Sequence, residues 1–414
     1  MIDNSPLIGS QGPCSHKVAE FFWDQMDLLA QELGLNPLEI RQMNALKPGC
    51  KTGTGQELKA SVGIGKCLDE IRPYYEQAKA EWQSEPIGPY KKRGVGIGCM
   101  WYGIGNTGVQ NPSTARITMD RNGNVTLFTG CADIGQGSTT VLAQIAAEVL
   151  GLDPDSIRLV VADTQCTTNA GATSASRQTY ISGNAVKVAA EKLADVLLTE
   201  AVNKLKAPKP SLKLESGFVR VADNPAKKIE FSWLARRIHE KGLPLTWNGF
   251  FDPDTVPLDP ETGQGVPYAT YAFACQLAML SVDTLTGEVK LEKIVAAHDV
   301  GKAIHPENVK GQICGGVAMG LGFALMEEFV PGQTLSFKDY LIPTCADMPE
   351  IIPIIVESPE PSGPFGAKGV GAGQGRRRRV RPRPRRHRPR RTRRSACRGP
   401  RPRWPPCRNP RHRR

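Results

Sequence analysis

Three glycine-rich stretches carry the residues of this sequence best suited to holding a ligand. The first is Gly130-Cys-Ala-Asp-Ile-Gly135-Gln136-Gly137-Ser-Thr-Thr140. It joins an apolar strand-like run to an amphipathic helical run. Backbone N–H groups at a helix N-terminus attract anions, phosphates above all. Gln136, between two glycines, can both donate and accept hydrogen bonds. A plain capped strand-to-helix loop accounts for the same residues equally well. The second stretch is Asn169-Ala-Gly-Ala-Thr173-Ser174-Ala175-Ser176-Arg-Gln-Thr179, followed by Ser182-Gly183-Asn184 at a helix start. Its hydroxyls and N–H groups suit an anion nest, and they also suit a mobile surface loop. The third is Gly363-Pro-Phe-Gly-Ala-Lys368-Gly369-Val370-Gly371. Its glycines allow close approach of backbone to a ligand, or form a flexible linker.

Other chemistry is less well supported. Gly103-Ile-Gly105-Asn-Thr-Gly108 matches the dinucleotide pattern. That pattern requires a helix immediately afterwards, and Pro112 and a further strand follow instead. There is no P-loop and no nucleophile elbow, and the six His show no metal-ligand spacing. The eleven Cys form no CxxC pair, which gives neither an iron–sulfur nor a structural zinc spacing. Free thiols in a reducing cytoplasm are the expectation.

The elements that must position these loops follow from periodicity. Helices are expected over 17–34, from the Asn36-Pro37 cap onward, and over 64–82. Residues 83–92 read as a linker and candidate domain boundary. Strands follow at 94–102, 114–119 and 124–129, the last two joined by the turn Arg121-Asn-Gly-Asn124. A helix over 139–151, a strand over 157–162 and a long helix near 182–205 come next. Strands recur at 269–282 and 288–297, and 308–326 reads as a glycine-rich buried helix. Mixed helices and hairpins make the fold class α+β. No 20–50-residue repeat is present.

Composition divides the chain in two. The 414 residues carry a net charge of +12. Residues 376–414 hold 20 Arg and no Lys, Asp or Glu. The other 375 residues carry 33 basic and 41 acidic side chains, a net of −8. The tail has three readings: a nucleic-acid-binding arm, a basic tail without a partner, or translation out of frame. The sudden loss of Lys and of acidic residues inside a glycine motif favours the third. Twenty Arg with eight Pro cannot bury enough apolar surface to fold. Met1–Ser10 resembles no signal peptide, and no apolar run reaches the length of a membrane span. The expected location is the cytoplasm.

In order, GCADIGQGSTT, SASRQTYISGNAV, HDVGKAIHPENVKGQICGGVAMGLGFALMEE, YLIPT and GPFGAKGVG resemble the molybdenum-binding subunit of the xanthine dehydrogenase/aldehyde oxidase family over roughly residues 20–371. RGVGIGCMWYGIGNTG is most similar to the medium molybdopterin subunit of bacterial nicotinate dehydrogenase. The resemblance implies an α+β fold of mixed helices and antiparallel sheets. It implies hydroxylation of an aldehyde, purine or N-heterocycle with oxygen from water, by molybdenum on a molybdopterin, with the cytosine dinucleotide form expected. Electrons would pass to iron–sulfur and FAD partner subunits. Gly135, Gln136 and Gly137 would lie beside the molybdenum ligands. Thr173, Ser174, Ala175, Ser176, Gly183 and Asn184 would hold the pterin and its phosphates. Gln312 would lie nearby, and Lys368, Gly369, Val370 and Gly371 would approach the metal, with no side chain of this chain ligating it directly.

Two departures from the family stand out. Its last motif ends GAKGVGE, and that Glu is the general base; here Ala372 stands in its place. Its earlier GGGFG- and AFRG-type motifs are absent. Residues 1–85 therefore read as the helical end of a first molybdopterin-binding domain, 91–371 as the second, and 372–414 as the tail. A separate subunit would carry the first domain, and this chain would be inactive alone. Two alternatives are a subunit of a split hydroxylase whose base comes from elsewhere, and a non-catalytic nucleic-acid-binding protein that uses the Arg-rich tail.

Overall fold

A computed structural model describes residues 25–370. The Arg-rich tail, Gly371 and Ala372 lie outside the described residues, as do residues 17–24 of the helix expected over 17–34, whose described part, α1, spans 25–32.

Six further helices and eleven strands follow. The helices are α2 (Pro37–Met43), α3 (Ile64–Gln77), α4 (Ser138–Leu150), α5 (Gly183–Leu205), α6 (Phe231–Glu240) and α7 (Pro306–Leu325). The strands are β1 (Lys91–Gly103), β2 (Ser113–Met119), β3 (Val125–Thr129), β4 (Arg158–Val161), β5 (Leu212–Glu215), β6 (Phe218–Val221), β7 (Asn224–Glu230), β8 (Thr246–Phe251), β9 (Tyr271–Asp283), β10 (Val289–Asp299) and β11 (Glu350–Val356). Pro37 occupies the first turn of α2, and Asn36 caps it by accepting from the Leu38 N–H, as the sequence predicts. The strand after Gly108 is β2, and no helix intervenes, so the dinucleotide pattern is not a Rossmann loop.

The strands form three sheets: β1-β9-β10-β11, β4-β3-β2-β8 and β5-β6-β7. In the first, β1, β9 and β10 are antiparallel and β11 runs parallel to β10. Period-two alternation sends β10 side chains to opposite faces. Val295 and Ala297 pack with Leu68, Ile71 and Tyr75 of α3. Ile294 and Ala296 pack with Val309, Ile313 and Val317 of α7. Residues 83–90 thus join α3 to β1 without separating their cores. The second sheet packs Ala115, Ile117 and Leu127 against α4 and the long α5.

One expectation needs correction. The 308–326 helix is not buried all round. Gly311, Gly315, Met319 and Phe323 are exposed along α7. The side facing β10 and β11 meets Ile294, Ala296 and Ile355, and Gly322 near the end of the helix packs on Pro343.

Candidate functional site

Four chain segments converge on one cavity of about 380 Å³. The loop after β3 supplies Gln136, Gly137 and Ser138, and the loop before α5 supplies Thr173, Ser174, Ala175 and Ser176. The β10–α7 connection and the first turns of α7 supply Lys302, His305, Asn308 and Gln312. The 363–370 segment supplies Lys368 and Val370. Gly135 and Gly369 are not among the lining residues, although each adjoins one, Gln136 and Lys368 or Val370. Gly183 and Asn184 are not brought to the cavity. Asn184 Nδ2 donates to the Ser362 carbonyl (2.8 Å), and a Cβ on Gly183 would lie 2.8 Å from Ile145 Cδ1. That pair fixes the 362–364 turn.

The first loop takes the capped form that the sequence also allows. At the N-terminus of α4, Asp133 takes up the Thr139 N–H, so an outside anion would have to compete with its carboxylate. Its Oδ2 accepts from the Thr139 N–H (3.0 Å) and hydroxyl (2.8 Å), and its Oδ1 from the Gly135 N–H (2.9 Å). Burial pushes this carboxyl up, but the donors from Thr139, Gly135 and Gly137 outweigh it and hold the group below the usual range. Gln136 closes the loop over this cap. Its Oε1 accepts from the Ile134 N–H (2.6 Å) and its Nε2 donates to Ser138 Oγ (3.0 Å). Gly137, at φ 80°, packs so closely on α7 that a Cβ would lie 2.7 Å from Asn308 Nδ2.

The second loop is fixed by buried polar groups that the motif quoted without assigning them a role. Arg177 is buried and donates to the carbonyls of Ala170 (2.5 Å), Ala172 (3.1 Å), Asn111 (2.9 Å) and Pro112 (2.8 Å). Gln178 Nε2 donates to Thr173 Oγ1 (2.8 Å), and that hydroxyl donates to the Ala132 carbonyl (2.8 Å). The hydroxyl therefore ties the second loop to the first. Ala175 and Ser176 both hold left-handed backbone, φ 49° and 56°. Such conformations cost about 1 kcal/mol or more each in non-glycine residues. They are held from both sides. The Ala175 carbonyl accepts from the Gly105 N–H (3.0 Å), and the Ser176 carbonyl lies where a Cβ of Gly369 would be. Glycine at 369 is what lets the third stretch dock on the second.

Lys368 does not point at a ligand. Its ammonium donates to Asp299 Oδ2 (2.6 Å) and to the Ser61 carbonyl (2.6 Å), with both side chains of the ion pair fully buried. Asp299 also accepts from the N–H groups of Gly63 (3.2 Å) and Gly301 (3.0 Å). Burial pushes the Asp299 carboxyl up and the Lys368 ammonium down, and their mutual attraction opposes both shifts. Beside this pair the Lys368 N–H donates to the Val300 carbonyl (2.9 Å), and the Lys302 N–H to Gly366 (2.8 Å). One buried pair thus ties residues 61–63, the end of β10 and the 363–370 segment together.

The cavity lining contains Arg177, Lys302 and Lys368, one His and no Asp or Glu, with Lys302 paired to Glu357 and Lys368 to Asp299. A second cavity, of about 720 Å³, is lined by Glu57, Asp252, Asp254 and Glu360 against one Lys. Volume alone favours the second; a lining without carboxylates favours the first for an anionic ligand. Among the described residues no group of three His, Cys, Asp or Glu could hold a metal ion.

Residues 68–349 match the molybdopterin cofactor-binding domain family. The chain is 33% identical over 360 residues to the aldehyde oxidoreductase of Megalodesulfovibrio gigas, covering 84% of this chain and 35% of that protein. It is 30% identical over 358 residues to a xanthine dehydrogenase molybdenum-binding subunit of Escherichia coli, covering 84% and 46%. Its fold matches the crystal structure of quinoline 2-oxidoreductase from Pseudomonas putida with a TM-score of 0.74 at 28% identity, over 84% of this chain and 46% of that one. The chain therefore spans a third to a half of the relatives it matches. The motif order, the fold and these matches agree: the chain belongs to the xanthine dehydrogenase/aldehyde oxidase family of molybdopterin-dependent oxidoreductases, as a molybdopterin-binding part.

Proposed function

We propose that this chain forms one wall of the molybdopterin site in a hydroxylase acting on an aldehyde, purine or N-heterocycle, with the first cofactor domain and the iron–sulfur and FAD centres on partner polypeptides. The observation that carries this reading is the carboxylate-free cavity in which Gln136–Gly137, Thr173–Ser176, Gln312 and Val370 meet. Its chemistry fits the cofactor. Hydroxyls and amides suit the pterin edge, and a lining free of carboxylates admits its phosphates. When bound, the cofactor supplies a two-electron molybdenum centre. This chain's residues bind and orient it. Thr173, Ser174 and Ser176 present hydroxyls, and Gln136, already fixed by Ile134 and Ser138, presents its amide at the cavity edge. The Lys368–Asp299 pair holds Val370 against the same space from beneath.

The reading assigns residues 1–85, whose α3 packs on the β1-β9-β10-β11 sheet, to the end of the first cofactor domain and 91–371 to the second. It also makes the chain inactive as it stands, because Ala372 cannot take a proton. The test is to purify the full chain together with the part of the Escherichia coli molybdenum-binding subunit that lies outside its match. Molybdenum and oxidised pterin are then measured per mole of chain. Near-equimolar pterin with no hydroxylase turnover is expected. No pterin above that of the partner alone would refute the assignment.

A further inference from the structure

We propose that Cys99 of β1 and Cys275 of β9 form a reversible redox lock, in which a hydroperoxide converts the two thiols into a disulfide that ties β1 to β9. The inference is independent of the cofactor reading. It rests on the register of two strands and the position of two sulfurs.

β1 and β9 pair antiparallel from Lys91 opposite Asp283 to Gly103 opposite Tyr271, and this register sets Cys99 directly opposite Cys275. Directly opposite residues of an antiparallel pair hold their Cβ atoms about 4.5–5.5 Å apart on the same face of the sheet. A disulfide takes a Cβ separation of about 3.5–4.5 Å, so a slight approach of the strands suffices. The sulfurs already stand 3.8 Å apart. Both are free thiols and pack in the cluster that joins α3 to this sheet, beside Leu68, Ile97 and Leu277. The two cysteines are 176 residues apart in the chain, so only the strand register brings them together.

Their surroundings differ, and the difference gives each a role. Cys99 is partly exposed, whereas Cys275 is buried. The hydrogen bond from Cys275 holds the Cys99 thiol below its usual range, against the burial that pushes it up. Burial pushes the Cys275 thiol well up. Cys99 is therefore the thiolate that meets the oxidant. With hydrogen peroxide, its sulfur bonds to one oxygen, the O–O bond breaks, and the other oxygen leaves as water with the proton that Cys99 gave up. The product is a sulfenic acid. The Cys275 sulfur then attacks the Cys99 sulfur. The S–S bond forms, the S–O bond breaks, and the hydroxyl leaves as a second water with the Cys275 proton. Two thiols have lost two electrons, and the peroxide has gained them. A thiol reductant reverses the bond by exchange.

The bond would lie just before the turn that leaves β1. There the Ile104 N–H donates to the Thr270 carbonyl and the Gly105 N–H to the Ala175 carbonyl, each at 3.0 Å. A cross-link between such distant positions also removes freedom from the unfolded chain, so the oxidised protein should resist unfolding better than the reduced one.

The experiment treats the full chain with hydrogen peroxide, alkylates the remaining thiols and maps linked peptides by mass spectrometry. Urea unfolding is measured before and after treatment. The exposed Cys345 serves as the reference thiol. A peptide pair joining Cys99 to Cys275 is expected by the time Cys345 is oxidised. Dithiothreitol should remove it, and the linked chain should have the higher urea midpoint. Cys275→Ala, treated in the same way, should show no midpoint rise and should leave a Cys99 sulfenic acid that dimedone traps. The same variant subtracts any effect of methionine oxidation. If it does not fold, the mapping and the two midpoints of the unaltered chain still decide. Three results would overturn the proposal: both thiols still open to alkylation after Cys345 is oxidised, Cys99 joined to a different cysteine such as Cys67 of the same cluster, or a linked chain whose midpoint does not rise.

Discussion

Replacing Lys368 with Met removes the ammonium but keeps a side chain of similar length against Phe273. It leaves the Asp299 carboxylate buried with only the N–H groups of Gly63 and Gly301 for partners. Breaking a fully buried pair from one side typically costs about 3–5 kcal/mol. That is a large share of a total stability of about 5–15 kcal/mol. Asp299→Asn alone should cost a similar amount, by stranding the ammonium. The double variant has no buried charge and should recover much of the loss, giving a coupling energy of about 2–3 kcal/mol. Urea unfolding of the full chain, followed by tryptophan fluorescence, measures all four corners of the cycle. The pH dependence has a definite sign. Burial already raises the Asp299 carboxyl, and losing Lys368 raises it further. The folded single variant therefore binds a proton more readily than the unfolded chain. Its deficit should be greatest near neutral pH and shrink as pH falls. A Lys368→Met cost below about 1 kcal/mol, with no coupling to Asp299→Asn, would refute this account of the third glycine stretch.

Two further outcomes follow from the same geometry. His298 is buried beside Gln276, and burial lowers its pKa to about 4. The unfolded chain takes up that proton near pH 6.5 and the folded one does not, so stability should fall between about pH 6.5 and 4, by up to about 3 kcal/mol. His298→Gln should flatten that part of the profile in unfolding measured at pH 7 and 4.5; an unchanged acid slope would count against it. Gly369→Ala forces a methyl onto the Ser176 carbonyl and should lower both stability and pterin retention, whereas Gly315→Ala meets open space and should leave stability within about 1 kcal/mol of the parent. Equal melting temperatures for these two variants would contradict the docking of the third stretch on the second.

How much of this was legible in the sequence differed from element to element. Long periodic stretches such as β9, β10 and α5 announced themselves, because one face of each is buried over many turns or pleats. The sheet β5-β6-β7 did not. Its strands are short, and β7 is largely exposed and lysine-bearing. β11 carries Pro353, which argues against a central strand; it is tolerated because β11 is the edge of its sheet. The glycine loops were legible because left-handed and close-packed positions select glycine, as at Gly137 and Gly301. Their partners were not. Lys368 and Asp299 lie 69 residues apart, and no local spacing links a lysine in one motif to an aspartate in another. Asp133 was visible in the first motif, but only the geometry of the loop shows that its carboxylate takes the place an outside anion would need.

The cofactor is proposed to sit in the carboxylate-free cavity, although a second cavity is larger. Amide hydrogen exchange of the full chain, with and without bound molybdopterin, tests it directly. Protection should appear at 134–138, 173–178, 308–312 and 368–370 together. Protection confined instead to 55–62 and 360–362, around the acidic cavity, would contradict it.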